Sequence, residues 1–399
     1  MAQSSHPGEH TALWIASTTV PSYPELQEDI TVDVAVLGAG IVGVLTAYLL
    51  KKEGRKVALI ESHRALHGVT GNTTAKLTAS HGLIYSHLVP KFGEKLAALY
   101  AKANMGAIEW VEGMSKEIPC DFKREDLFLY AESDKELKDL EKELEASHAC
   151  GLTTILEEDL DTNFPTKGAL RFPNQAEFHP LKFLIPLLEK IPGSGSAVFE
   201  HTRALEVKEG SPCKVTTDKG VITAKDVVVA THFPIFDPAF YYTRLDPFRD
   251  YALAVSLNEP VPKPMYVGVS DSSYTLRTQP SKKGDLLIIG GGSHKVGEGG
   301  DTKEKYQELE DFARKHFKVK EVAYSWSTQD NQTLDKVPYI GRISARSKRV
   351  FVATGFNGWG MAHGVVAAQL NTDLICGRKN EFADLYAPTR FKPVTSAPQ

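Results

Sequence analysis

Apolar and polar positions alternate along this chain in two different rhythms. The first clear run is VDVAVL, where Val32, Val34, Val36 and Leu37 predict a short buried strand. LTAYLLKKEG then predicts a helix that stops at Gly54, a C-cap, and KVALIE predicts a second strand ending on Glu61. AKDVVVATHFP and RVFVAT repeat the fully apolar strand, and MAHGVVAAQLNTDLI reads as an amphipathic helix. Between them the rhythm changes. YALAVSL, MYVGVS, SYTLRTQ, DLLIIGG and EVAYSWS predict an antiparallel sheet over about residues 234–330, while 78–180 reads as helices interrupted by the strand FKREDLFLYA. One helix, SDKELKDLEKELEASHACG, opens with Ser133 and Glu136 as a capping box and carries the stripe Leu137, Leu140, Leu144. Its charge predicts a solvated amphipathic helix.

The turns after the apolar strands carry the chemistry. Gly38, Gly40 and Gly43 follow the first strand and precede the first helix. This arrangement gives a tight turn, close backbone approach to a pyrophosphate and close helix–strand packing, at a helix N-terminus that favours anions. Glu61, 18 residues after Gly43, is placed to accept hydrogen bonds from ribose hydroxyls. The acid argues against a 2′-phosphate, but leaves NAD and FAD both open. The polar loop SHRALHGVTGNTTAKLTASHG suggests contacts to a long cofactor, and GFNGWG offers backbone N–H groups at a second helix start. That second site suits the negative charge of a reduced flavin.

Composition adds mainly exclusions. The 399 residues exceed one simple core and predict two domains. A net charge of −4 offers no field for nucleic acid. Cys120, Cys150, Cys213 and Cys376 lack metal or redox spacing, and no histidine pair among His81, His179, His294 and His363 has metal-ligand spacing, so no metal is expected. With no signal-like start and no membrane span, a cytoplasmic location is expected.

VAVLGAGIVG with Glu61, TGNTTAK, FHPLKFLIPLL, FEHTRALEV, VVVATHFP, DKVPYIG and ATGFNGWGMAHG occur in an order that resembles the D-amino-acid oxidase and glycine oxidase (DAO) group of FAD-dependent oxidoreductases. The chain also resembles a bacterial branch carrying a C-terminal Rieske domain, although no Cys-x-His … Cys-x-x-His pattern is present. The resemblance implies an α/β fold with a Rossmann-type FAD-binding domain and a mixed or antiparallel-sheet substrate domain. Its expected layout is an extension over 1–30, a discontinuous FAD domain over 31–80, 160–233 and 331–399, and a substrate domain over 81–159 and 234–330.

The resemblance also implies site residues. Gly38, Gly40, Ile41, Val42 and Gly43 would hold the pyrophosphate, and Glu61 with Ser62 the ribose. Thr70, Gly71, Asn72, Thr74, Ala75, Lys76 and Leu77 would line the ribityl chain and ring, with Ala204 at the adenine and Ala230 beside the cofactor. Gly355, Asn357, Gly358, Trp359, Gly360 and Met361 would cover the flavin's pyrimidine edge. Sarcosine-oxidase relatives attach flavin through a cysteine, and none falls between Cys213 and Cys376, so non-covalent FAD is expected.

On the substrate side the candidates are Tyr251, Tyr274, Arg277, Gln329 and Trp359, with Lys76 and His81 as catalytic candidates and Lys76 as base or oxygen-activating group. Asp330 stands where amino-acid-oxidising relatives place a carboxylate-binding arginine, and would attract an ammonium group. The expected reaction is oxidation of a C–N bond in an amine or amino-acid-like small molecule by hydride transfer to flavin N5, giving an imine that hydrolyses. Electrons would pass to O2 or to an electron-carrier protein. The alternatives are a dehydrogenase passing electrons to an iron–sulfur partner, or a flavin-binding module without an amine pocket.

Overall fold

The structure is a computed structural model that describes residues 7–270 and 273–390. The chain divides into two compact units.

One unit comprises Thr18–Gly71, Pro180–Pro247 and the chain from Asp330 onward. Its sheet orders the strands Tyr339–Arg342, Val350–Thr354, Val221–Val229, Ile30–Leu37, Val57–Ile60 and Ala197–Phe199, with Ala204–Lys208 and Cys213–Thr217 attached at the side. The five strands from Val350–Thr354 to Ala197–Phe199 run parallel. This explains the unbroken apolar runs, because a parallel strand is covered on both faces. Leu37 lies level with Val229 and Ile60, so the first glycine turn leaves the sheet beside the ends of its two neighbours. The helices Ile41–Lys52 and Gly360–Ile375 approach closely at Gly364, where a Cβ would stand 2.8 Å from Ile41 Cγ2.

The other unit comprises the N-terminal stretch through Ser17, Asn72–His179 and Phe248–Gln329. Its nine-stranded sheet is mostly antiparallel, with Met265–Gly268 and Lys123–Ala131 as a parallel pair. Phe128, Tyr130, Leu253, Val255, Leu287, Ile289, Tyr306 and Leu309 form its core. The helix Asp134–Ala149 has the expected capping box. It is not merely a solvated helix: Glu143 is fully buried and accepts the Tyr85 and Ser86 N–H groups at 2.9 and 2.8 Å. Glu143 thereby caps the helix Ile84–Phe92, whose own N-cap, Leu83, makes no side-chain cap.

These divisions differ from the layout expected from sequence. The polar loop divides at Gly71/Asn72 rather than near 80, because Lys76–Leu77 pairs with the strand Gly168–Glu177. That same strand pairs with Lys123–Ala131 and carries 160–179 into the antiparallel unit. Residues 1–30 are not one extension. Glu9 donates its N–H to Ala323 O at 3.0 Å and Trp14 Nε1 donates to Thr73 O at 2.7 Å, whereas Leu26 N donates to Thr202 Oγ1 at 3.0 Å in the parallel unit. The remaining boundaries fall at 247/248 and 329/330.

Candidate flavin site and a buried cation network

In the parallel unit the first turn is shaped by what its glycines lack. Gly38 has φ +98°, and a Cβ there would meet Ala230 O at 2.5 Å; one on Gly43 would lie 1.8 Å from Gly38 O. Gly40 is the N-cap of Ile41–Lys52 and offers no capping side chain. The Thr70 hydroxyl accepts the Ile41 N–H at 2.9 Å, which brings the polar loop to the helix start. Glu61 Oε2 accepts the Ala39 N–H at 2.9 Å, and Oε1 accepts Ser62 Oγ at 3.1 Å and His63 N at 3.0 Å. The turn therefore has the bare backbone and helix start that a dinucleotide pyrophosphate requires, with an acid at the end of the second strand. These residues fit FAD. Val42 is buried at the helix start and Ala204 opens its side strand.

Sequence reasoning missed Glu200, which organises the loop beyond Glu61. It is fully buried, accepts Ala65 N at 2.8 Å and Tyr23 N at 3.1 Å, and faces Arg64 Nε at 3.4 Å. Nothing in FEHTRALEV distinguishes it from an exposed strand-end acid.

The second turn, Gly355–Gly360, is held by the end of the long strand Val319–Thr333. The polar run Gln329–Gln332 belongs to that strand. Asp330 is buried; its Oδ2 accepts Gly358 N at 2.5 Å and its Oδ1 accepts Asn331 N at 2.7 Å. Asn357 Oδ1 accepts Thr333 N at 2.8 Å, while Asn357 N donates to Asn331 O at 3.2 Å. Burial raises the Asp330 carboxyl pKa, opposed by His232 and the two backbone N–H groups. The expectation that Asp330 attracts a substrate ammonium is thus corrected: its oxygens organise the turn. Trp359 is the half-buried N-cap of the helix that follows, with Gly360 and Met361 in its first turn.

In the antiparallel unit Asn72, Thr74, Ala75, Lys76 and Leu77 converge on a buried charge network. Lys76 Nζ donates to Thr275 Oγ1 at 2.9 Å and to Thr74 Oγ1 at 3.4 Å. Gly290 leaves room for this pair, since a Cβ there would stand 2.9 Å from Thr275 Oγ1. Burial, with Arg277 adding repulsion, lowers the Lys76 pKa to about 7 against an upward pull from Glu177. Glu177 sits opposite Lys76 in the strand register and 3.4 Å from Arg277 Nε. Trp326 Nε1 donates to Asn72 O at 3.0 Å.

Arg277, expected at a substrate, is instead fully buried. Its guanidinium donates to Ala75 O at 2.8 Å, Phe178 O at 3.1 Å, Thr278 O at 2.9 Å and Gln279 Oε1 at 2.5 Å, and lies over the Trp14 ring at 5.3 Å. Ala75 carries φ +59°, and the arginine pins the carbonyl of that left-handed residue immediately before Lys76.

His81 is likewise a core residue rather than a catalytic base. Its Nδ1 meets Tyr100 OH at 2.5 Å and its Nε2 meets Thr78 O at 2.8 Å, and burial lowers its pKa to about 3, keeping it neutral. His179 packs against Trp14 and meets Ser17 Oγ at 2.9 Å. Tyr251 OH pairs with His294 Nε2 at 2.9 Å, Tyr274 stacks on Phe312, and Gln329 is half-buried. Among the described residues no group of three or more His, Cys, Asp or Glu could hold a metal ion, and no helix is long and apolar enough to cross a membrane.

Comparison with known proteins agrees with this architecture. YhfW of Bacillus subtilis strain 168, which bears the name of a Rieske 2Fe-2S iron-sulfur protein, is 38% identical over 95% of this chain and 75% of its own. Gamma-glutamylputrescine oxidoreductase of Escherichia coli K12 is 26% identical over 94% of this chain and 91% of its own. The crystal structure of glycine oxidase from Geobacillus kaustophilus superposes with a TM-score of 0.74 at 21% identity, covering 91% of this chain and 99% of that one. Residues 33–374, spanning the glycine turns and the antiparallel sheet, match the DAO family, and the chain belongs to this family of FAD dependent oxidoreductases.

Proposed function

We propose that this protein oxidises a C–N bond of a small amine or amino-acid-like substrate, with Lys76 as the group that accepts the substrate's ammonium proton. The carrying observation is the Lys76 environment: a buried amine whose direct partners include two hydroxyls, with a pKa lowered to about 7. Such an amine can take a proton near neutral pH, where an exposed lysine remains charged. An amine must lose its ammonium proton before the carbon next to its nitrogen can give up hydride. FAD, when bound, supplies the two-electron acceptor. The chain's own contribution is to hold the Lys76 amine between Thr74 and Thr275 and to fix the preceding carbonyl through Arg277. The kinship with gamma-glutamylputrescine oxidoreductase supports an amine as the substrate class.

The test is anaerobic mixing of the FAD-loaded protein with a panel of primary, secondary and N-alkyl amines and amino acids, followed by the loss of flavin colour. Bleaching by an amine supports the reading; a panel that leaves the flavin oxidised rejects it. A second reading concerns the electron acceptor. Kinship with YhfW favours an iron–sulfur protein over O2. Turnover with a one-electron dye but without peroxide supports that acceptor, and stoichiometric peroxide supports O2.

A further inference from the structure

The turn after the strand Val221–Val229 contains His232, a residue of the VVVATHFP motif to which no role was assigned from sequence. His232 lies two residues beyond Ala230, whose carbonyl abuts Gly38, and is held at φ +64°. A non-glycine residue in this left-handed conformation is strained unless its surroundings fix it. Here two side chains do so: His232 O accepts Thr354 Oγ1 at 2.5 Å and Asn331 Nδ2 at 3.4 Å. The backbone is thus fixed, and the ring lies beside Asp330, with Nδ1 3.8 Å from Asp330 Oδ1. The other ring nitrogen, Nε2, is buried and has no hydrogen-bond partner among the described residues.

A buried ring nitrogen without a partner requires an explanation, because leaving it so costs about 1–3 kcal/mol. This one sits at the carboxyl edge of the parallel sheet, where open α/β folds bind their ligands. Its neighbour Asp330 holds Gly358 in the second glycine turn. The histidine is therefore tied to both turns that fit the dinucleotide.

We propose that His232 is a proton-carrying contact of the bound FAD, with Nε2 finding its missing partner on the cofactor and Asp330 as the positioning residue that balances the imidazolium charge. When a reductant delivers two electrons to the bound cofactor, His232 takes one proton from solvent, forming a new N–H bond at Nε2 and an imidazolium, and no other protein bond is made or broken. Its positive charge then offsets the negative charge the electrons bring. Few other charges face the pair. Asp335 is closed off by Arg390 at 3.0 and 3.1 Å, Lys336 meets the turn through its carbonyl, and His363 is buried one turn into the Gly360–Ile375 helix. The inference rests on the cofactor and not on the amine reading, so an inert amine panel leaves it standing.

The test measures the midpoint potential of bound FAD against pH through the neutral range, with dithionite as reductant, in wild type, His232→Gln and Asp330→Asn. Wild type is expected to take up one proton more per electron pair than His232→Gln within that range. Asp330→Asn, which keeps one of the two acceptor oxygens the turn uses, is expected to retain FAD but to reduce the extra proton uptake. An unchanged proton count in FAD-loaded His232→Gln overturns the proposal. Should that variant fail to hold FAD, 15N-histidine spectra of the wild-type holoprotein decide: a resonance that becomes protonated at Nε2 on reduction supports the assignment, and histidine resonances unchanged by reduction overturn it.

Discussion

The two units treat polar groups in opposite ways. In the parallel unit the first candidate turn works through backbone: glycines that leave the chain bare, a helix start without a capping side chain, and Glu61 and Thr70 tethering neighbouring N–H groups. In the antiparallel unit the charge is carried by side chains. Lys76, Glu177 and Arg277 are all buried, on three different strands. A backbone site needs only local spacing, whereas the buried charges also draw partners from far away in the chain, Arg277 from 75 and 178 and Lys76 from 275. The first tolerates no added atom, and the second tolerates no missing partner.

The largest expected effect breaks the second half of that contrast. Arg277→Ala leaves Glu177 buried without its cation and frees the Ala75 carbonyl. Loss of one partner from a buried pair costs about 3–5 kcal/mol, so denaturant unfolding should show a loss of this size. A cost under about 1 kcal/mol would mean the network is solvated and the contrast fails.

Gly43→Ala breaks the first half. Its Cβ would overlap Gly38 O at 1.8 Å, and relieving such overpacking costs about 1–3 kcal/mol. FAD content should fall further than stability does, because the turn itself must shift. Full FAD retention would remove this turn from the site.

Asp330→Ala leaves the Gly358 and Asn331 N–H groups without their side-chain acceptors, at about 1–3 kcal/mol for the buried Asn331. Asp330→Asn, with one acceptor oxygen for two N–H groups, should recover only about half of that stability. Equal losses for both substitutions would show that charge, rather than hydrogen bonding, holds the turn.

Lys76→Met sharpens the comparison through pH, with an effect that is largest below about 7 and fades toward 10.5. Lys76 titrates at about 7 in the fold instead of its ordinary 10.5. Between those values the unfolded chain binds a proton that the folded chain has released, so wild-type stability rises with pH across that window. Below about 7 the cost of burying the charge is fully present. The methionine variant should therefore be more stable than wild type at acid pH, with the gap closing as pH rises from 7 toward 10.5. Thermal unfolding with a gap independent of pH would contradict the burial of this amine.

The dinucleotide turn was legible because its chemistry is local: Gly38, Gly40, Gly43 and Glu61 lie within one strand–helix–strand passage. Arg277 misled because an arginine on a predicted substrate sheet looks like a ligand, while its partners come from 75, 178, 278 and 279. Asp330 misled for a related reason. Its position suggested a substrate contact, but the strand continues and Asp330 holds the Gly355–Gly360 turn. Glu143 and Glu200 were hidden among ordinary charged residues, since burial at a distant helix start or loop leaves no trace in local spacing. His232 lay within the VVVATHFP motif, but nothing in that motif distinguished its side chain. Its interest comes from φ, from Asp330 and from a buried nitrogen without a partner among the described residues.

The most direct test of the proposed chemistry is the rate of anaerobic flavin reduction by a responsive amine as a function of pH, in FAD-loaded wild type and Lys76→Met. The account predicts a wild-type rate that rises through an apparent pKa near 7, and a methionine variant that keeps its FAD but loses that rise. An identical pH profile in the two proteins would contradict the assignment of the substrate's proton to Lys76.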